Sequence, residues 1–121
     1  MKSVIVGASA SGINAARTLR QFNKECEIIL VSKDEYVYSR CILHHFLDGR
    51  REIEALDFTP DNFFDMYDIE WIKGVEVVGI EIKEKKINLD NGKSIEYDKL
   101  LLAAGASSFL PPIENLRTAN N

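Results

Sequence analysis

A glycine-punctuated turn follows the first apolar segment of the chain, which reads VIVGASASG over residues 4–12. Gly7 stands where a strand must end in a tight turn, and Gly12 stands where a following helix must pack close to that strand. The first N–H groups of such a helix have no partner within it, so they can donate to a phosphate. The spacing is that of the Gly-x-Gly-x-x-Gly turn for a dinucleotide diphosphate, except that Ser9 replaces the second glycine. The predicted diphosphate-binding residues are Gly7, Ala8, Ser9, Ala10, Ser11 and Gly12.

A β-α-β unit must position this turn. The pattern predicts a strand over residues 2–6, a helix from about Gly12 to Phe22 and a second strand over residues 26–32. The strands are apolar on both faces, which is typical of a parallel sheet covered on both sides. The helical periodicity predicts that Ala15, Leu19 and Phe22 form the buried stripe of the helix.

The rest of the chain continues this alternation and then changes it. The sequence predicts a short helix near residues 42–47, a helix from the N-cap Thr59 to about Tyr67, and a third parallel strand over residues 69–72. Alternating apolar and polar residues over 75–97, with a hairpin turn at 90–92, predict an antiparallel meander. A last buried parallel strand is predicted over residues 100–104. The predicted fold class is therefore α/β, a Rossmann-like parallel sheet with a β-α-β unit and an antiparallel β-meander insertion.

The bulk composition limits the classes of protein to consider. The chain has 121 residues, of which 45% are apolar and 28% charged, as in one globular domain or part of one. The net charge of -4 argues against nucleic acid or an anionic membrane as a partner. The sequence lacks an apolar run of the ~20 residues that a membrane span needs, and its start lacks a secretory signal, so a cytoplasmic protein is expected. The two cysteines do not form a disulfide framework.

Four segments carry a resemblance to a known family. They are the turn at residues 7–12, Tyr-Ser-Arg-Cys at 38–41, Gly-Val-Glu-Val at 74–77 and Tyr-Asp-Lys-Leu-Leu-Leu-Ala-Ala-Gly at 97–105. Together they resemble the N-terminal, FAD-binding part of the pyridine nucleotide-disulfide oxidoreductase superfamily. The loop at 38–41 is most similar to that of rubredoxin reductases, ferredoxin reductases and the flavin portion of nitrite reductase large subunits.

The resemblance implies an FAD-binding domain that is incomplete in this chain. Residues 1–110 would be its first segment, and residues 111–121 a linker toward an NAD(P)H-binding domain that lies outside the sequence. The whole protein would pass electrons from NAD(P)H through FAD to an acceptor such as a small iron protein or a disulfide. The chain alone is expected to show no turnover. Its sheet would expose an edge or an apolar face, so a homodimer or a segment swap is expected.

The resemblance also implies roles for individual residues. Ser39, Arg40 and Cys41 would lie along the ribityl chain and the flavin, Val77 would meet the adenine through its backbone, and Ala103, Ala104 and Gly105 would pack near the flavin. The family places an acidic residue at the end of the second strand for the adenosine ribose, but Ser32 and Lys33 stand there in this chain. The first carboxylate is Asp34, 22 residues after Gly12. Asp34 or Glu35 either reaches the ribose or is an ordinary solvated loop charge.

Several alternatives remain open at this point. Cys41 is either a redox thiol beside the flavin, favoured by the charge of Arg40, or a residue without a redox role, because the loop lacks the Ser-Phe-x-x-Cys-Gly of coenzyme A-disulfide reductases. His45 is either a flavin contact or a surface or partly packed histidine, and no metal site is predicted, because adjacent residues of a helix point in different directions. Aromatic residues at 58, 63, 64, 67 and 71 are predicted to pack beneath the sheet. The alternative function is a non-catalytic adenine-nucleotide (NAD or AMP) binding module.

Overall fold

The structure, a computed structural model, describes residues 1–107, 109 and 111–113. Most of the predicted linker, residues 114–121, therefore lies outside the described residues, as do residues 108 and 110. In chain order the strands and α-helices are β1 (Lys2–Val6), α1 (Ala10–Phe22), β2 (Glu27–Ser32), α2 (His44–Leu47), α3 (Phe63–Met66), β3 (Ile69–Lys73), β4 (Val77–Glu81), β5 (Lys86–Leu89), β6 (Ser94–Glu96) and β7 (Lys99–Leu102). Single 3₁₀ turns span Arg40–Ile42 and Ile53–Leu56.

The strands form two sheets. The first contains four parallel strands in the order β3-β2-β1-β7, with Val4 of β1 opposite Ile29 of β2 and Leu100 of β7. The second contains β4, β5 and β6 as an antiparallel meander. A tight turn joins β5 to β6, where the Leu89 N–H donates to the carbonyl of Lys93 at 2.8 Å and Gly92 has a φ of 81°. The predicted fold class is confirmed.

Both faces of the parallel sheet are covered at its central strands β1 and β2, where neighbouring residues point to opposite faces and both are buried. Ile5 of β1 joins a core formed with α1 and with the aromatic residues around α3. Val4, the neighbour of Ile5, joins a second core with Ile87 and Leu89 of the meander. The meander thus covers the face that α1 leaves open, which explains why the parallel strands are apolar on both sides.

Two details of the predicted helices are wrong. Helix α1 buries Gly12, Ile13 and Ala16, whereas Phe22 is 87% exposed. Phe22 lies about 120° around the helix from Ala16, so it falls beside the buried stripe and not on it. The predicted helix from Thr59 is only the single turn α3, which begins at Phe63. Thr59 lies in the preceding loop, where its N–H and hydroxyl both donate to Asp57 Oδ1, at 2.7 and 2.6 Å.

Arg20 joins the end of α1 to the connection between α3 and β3. Its guanidinium donates to the carbonyl oxygens of Lys24, Tyr67 and Asp68 at 2.7, 2.8 and 2.7 Å. The Arg20 side chain is mostly buried, with 13% exposed. These bonds hold the helix against the segment that leads into the edge strand β3.

We expect Arg20→Ala to lower the free energy of unfolding by about 2 kcal/mol, because three carbonyl groups lose a charged donor. Arg17→Ala is the matched control: Arg17 is exposed, and its guanidinium bonds Asn14 of the same helix at 2.6 Å. We expect that control to change the free energy by less than about 0.5 kcal/mol. Urea denaturation measures both, and equal midpoints for the two variants would contradict the role of Arg20.

Candidate functional site

A cavity opens at the carboxyl edge of the parallel sheet. Strand β1 has β2 on one side and β7 on the other, so the direction in which strands are added reverses at β1. Ligands of open parallel sheets bind in the crevice that such a reversal creates. The cavity has a volume of about 530 Å³, within the range of small-molecule and cofactor sites. Its lining residues are Val6, Gly7, Ala8, Ser9, Val31, Ser32, Lys33, Asp34, Tyr38, Arg40, Val75, Glu76, Val77, Ala103, Ala104, Gly105, Ala106 and Ser107.

Backbone contacts build the floor of this cavity. Gly7 has a φ of 112°, and a Cβ atom there would lie 2.2 Å from the carbonyl oxygen of Ala103. A Cβ atom on Gly12 would lie 1.9 Å from the carbonyl oxygen of Gly7. Both distances exclude any side chain. The end of β1, the start of α1 and the end of β7 therefore meet directly through their backbones.

The N-terminus of α1 faces the middle of the cavity. Ser9, which lines the cavity, is the N-cap of this 13-residue helix, and its carbonyl accepts the first helical bond from the Ile13 N–H at 3.0 Å. The first turn contains no acidic residue. An anion bound there is stabilised by the unpaired N–H groups of the first turn and by the helix dipole.

The two ends of the cavity differ in chemistry. Beyond β2 lie the exposed ammonium of Lys33 and the half-buried carboxylate of Asp34. The segment entering the meander lies beside them, because the Val75 N–H donates to the carbonyl of Ser32 at 3.1 Å. Beyond β7 the wall is formed by the small residues 103–107. The β2 end is thus charged, whereas the β7 end offers backbone and little side-chain bulk.

Most of the predicted site residues lie together. Nine of them line the cavity: Gly7, Ala8, Ser9, Asp34, Arg40, Val77, Ala103, Ala104 and Gly105. Five do not: Ala10 and Ser11 are exposed in the first turn of α1, Gly12 is buried behind the turn, and Ser39 and Cys41 flank Arg40 outside the lining. Their roles toward a cofactor stay predictions.

Sequence reasoning gave no binding role to several residues that line the cavity. They are Val6, Val31, Ser32, Lys33, Tyr38, Val75, Glu76, Ala106 and Ser107. Position is the signal for four of them, since Val6, Val31, Ser32 and Lys33 lie at the carboxyl end of a parallel strand or directly after it.

The segment that leads into α2 contributes Tyr38 and Arg40 to the cavity lining, with Cys41 in the following 3₁₀ turn and His45 in α2. The Arg40 guanidinium carbon lies 5.5 Å from the centre of the Tyr38 ring. Cys41 is an exposed free thiol. His45 Nδ1 is buried without a hydrogen-bond partner among the described residues, and burial together with the charge of Arg50 lowers the pKa of His45. Neither Cys41 nor His45 lines the cavity, so their suggested roles beside a flavin remain untested.

The described part of the chain contains neither a metal-ligand cluster nor a membrane-spanning helix. Among residues 1–107, 109 and 111–113, no three His, Cys, Asp or Glu side chains are placed to share a metal ion. Within the same ranges, every helix is too short or too polar to cross a membrane.

A parallel sheet with a glycine turn and a helix N-terminus at its switch point is the arrangement typical of nucleotide-binding α/β proteins. The family model of pyridine nucleotide-disulphide oxidoreductases matches residues 1–121, and the chain belongs to this family. The resemblance seen in the four sequence segments is therefore confirmed.

Individual relatives agree with this assignment. The chain is 32% identical to the NADH oxidase of Methanocaldococcus jannaschii, in a match that covers 94% of this chain and 27% of that protein. It is 34% identical to the rubredoxin-NAD(+) reductase of Pseudomonas putida over 110 residues, which cover 89% of this chain and 29% of that protein. The crystal structure of reduced CoADR-RHD from Bacillus anthracis superposes with a TM-score of 0.87 at 30% identity, covering 98% of this chain and 23% of that one. The chain thus spans less than a third of the length of these relatives.

We expect Gly12→Ala to lower the free energy of unfolding by about 3 kcal/mol, because its methyl group would overlap the carbonyl of Gly7. Gly79→Ala is the matched control, since a Cβ atom there would lie 3.5 Å from Asn88 Nδ2, an ordinary contact. That control should change the free energy by less than about 1 kcal/mol. Thermal and urea denaturation of both variants check the comparison. Equal stability of the two would mean that the turn and α1 are less closely packed than described.

Proposed function

We propose that the cavity binds FAD and that the chain is the first segment of the FAD-binding domain of an NAD(P)H-dependent flavoprotein oxidoreductase. The observation that carries the proposal is the backbone floor at Gly7 and Gly12, which opens onto the N-terminus of α1 in a member of this family. A diphosphate needs backbone donors at close range, and this floor provides them without side-chain obstruction. The cavity volume of about 530 Å³ is that of a cofactor site.

Each part of FAD has a matching wall in this proposal. The diphosphate lies over Gly7 and Ser9, and the adenosine lies over the β2 end, where Asp34 and the backbone of Val77 are available. The isoalloxazine side lies over residues 103–105, where small side chains permit close approach, with Arg40 nearby as a positive charge. FAD supplies hydride acceptance and electron release, while these residues bind and orient it.

The reaction of the whole protein extends beyond this chain. Two relatives are named as an NADH oxidase and a rubredoxin-NAD(+) reductase, which supports a nicotinamide as the electron donor. The second name supports a small iron protein as one class of acceptor. Since the chain spans less than a third of these relatives, we assign donor and acceptor to the whole protein. For the 121-residue chain alone we propose cofactor binding without turnover.

Titration of the 121-residue chain with FAD, FMN, NAD and AMP, followed by flavin fluorescence and calorimetry, tests the proposal. We expect FAD to bind more tightly than NAD, FMN or AMP. Of these four ligands, only FAD combines an adenosine for the β2 end, a diphosphate for the floor and a flavin for the β7 end. NAD or AMP binding equal to FAD would instead favour the non-catalytic adenine-nucleotide module.

Ser9→Asp separates diphosphate binding from folding. Aspartate is a good N-cap, so the free energy of unfolding should stay equal or rise by about 0.5 kcal/mol. The added charge would face the diphosphate, so we expect FAD affinity to fall at least about tenfold. Ser9→Ala is the control, because the Ser9 side chain makes no capping hydrogen bond. Unchanged FAD affinity in Ser9→Asp would place the diphosphate elsewhere.

We also propose that two copies pair through β7 or exchange a segment there. Within the described residues β7 is an edge strand, and its Leu101 and Leu102 are 42% and 59% exposed. An exposed apolar edge is a template for strand pairing. Sedimentation at increasing protein concentration should therefore show a dimer, and Leu102→Lys should weaken it. A strictly monomeric profile at high concentration would contradict pairing.

A further inference from the structure

Ser32 belongs to a hydrogen-bonded chain behind the cavity wall. Its side chain is almost buried, with the residue 5% exposed. The Ser32 hydroxyl donates to the backbone carbonyl of Asp34 at 2.7 Å and accepts from Trp71 Nε1 at 2.8 Å. A serine hydroxyl has a single proton, so Ser32 has none left to donate to a ligand. Its contribution to the cavity is therefore to fix the loop that follows β2.

Trp71 is held so that its N–H must point at Ser32. Its indole stacks on the Phe64 ring, with centroids 4.2 Å apart and planes inclined by 14°. The Lys73 ammonium lies 5.3 Å from the centre of the same ring. Trp71 is outside the cavity lining, so it can influence a ligand only through Ser32. Core packing alone would be served equally by a phenylalanine, which lacks the donor.

The chain of bonds determines where Asp34 lies. The bond from Ser32 to the Asp34 carbonyl closes a turn over three residues, and the Val75 N–H holds the Ser32 carbonyl from the other side at 3.1 Å. The Asp34 carboxylate lines the cavity and makes no hydrogen bond or ion pair to other described residues. It is therefore available to accept from the hydroxyl groups of a ribose.

We propose that Trp71 and Ser32 are positioning residues for the adenosine half of the bound dinucleotide, acting by holding the loop of Asp34. This inference rests on the proposed binding of FAD. The diphosphate floor lies at β1, so the two halves of the dinucleotide extend over β2 and β7. The carboxylates of Asp34 and Glu76 line the cavity, and the wall beyond β7, residues 103–107, contains none. Consequently Trp71 and Ser32 set the preference for FAD over FMN, because FMN lacks the adenosine.

Calorimetric titration with FAD, ADP and FMN tests this in Trp71→Phe, Ser32→Ala and the double variant. Trp71→Phe keeps a ring against Phe64 and removes only the N–H donor. Trp71→Phe breaks one bond of the chain and Ser32→Ala breaks both. We expect each single variant to weaken the binding of FAD and ADP at least about fivefold and to leave the affinity for FMN unchanged. The double variant should match Ser32→Ala, because both substitutions interrupt one chain of bonds. Ser32→Thr keeps the hydroxyl and should bind FAD like the wild type.

A control separates positioning from loss of packing. Phe64→Leu weakens the stack on Trp71 without removing its donor, so it should lower stability in urea while the ratio of FAD to FMN affinity stays unchanged. If the wild-type chain binds FAD and both Trp71→Phe and Ser32→Ala leave the ratio of FAD to FMN affinity unchanged, the positioning role is overturned and the proposed FAD binding stands. If FAD fails to bind but ADP binds and weakens in both variants, the proposed function fails and the positioning role holds. Binding of none of the three probes would overturn both.

Discussion

The direct backbone contact between the end of β1, the first turn of α1 and the end of β7 is the constraint on which the rest of the structure depends. A Cβ atom on Gly7 would reach the carbonyl of Ala103, and one on Gly12 would reach the carbonyl of Gly7. Because neither residue has a side chain, the N-terminus of α1 lies close to the end of β1, where the order in which strands are added to the sheet reverses. The same contact fixes the rotation of α1, so Ile13 and Ala16 are buried and Phe22 is not.

The meander has two structural roles, since it covers one face of the parallel sheet and its entry segment forms a wall of the cavity. It covers the face of the parallel sheet opposite α1, with Ile87 and Leu89 buried against Val4 and its neighbours. Its entry segment also forms the wall of the cavity beyond β2, because the backbone of Val75 bonds that of Ser32 at 3.1 Å. A change that loosened the meander would therefore expose part of the core and displace this wall of the cavity together.

Local features could be predicted from the sequence, whereas features set by tertiary contacts could not. The glycine turn and the hairpin at residues 90–92 depend on backbone conformations that neighbouring residues determine, and both are present. The start of α3 differs from the prediction, because Thr59 lies in a loop closed by its bonds to Asp57 and the helical turn begins only at Phe63. The bond between Trp71 and Ser32 joins residues 39 positions apart and depends on the register of β3 against β2. A sequence pattern can place Trp71 in the core, but it does not show which acceptor its indole N–H bonds.

A neutral side chain at position 32 suits the burial of this position. Position 32 is 5% exposed, and a carboxylate there would carry a desolvation cost that only strong partners offset. The neutral hydroxyl avoids that cost, and it donates one bond and accepts another within the protein. Two positions later, Asp34 carries the charge in a half-buried setting, where water still solvates it in part. In this chain, then, a neutral turn begins at Ser32 and is held by the hydrogen bond from the Trp71 indole. The charged group is the side chain of Asp34, which follows in the same turn and lines the cavity.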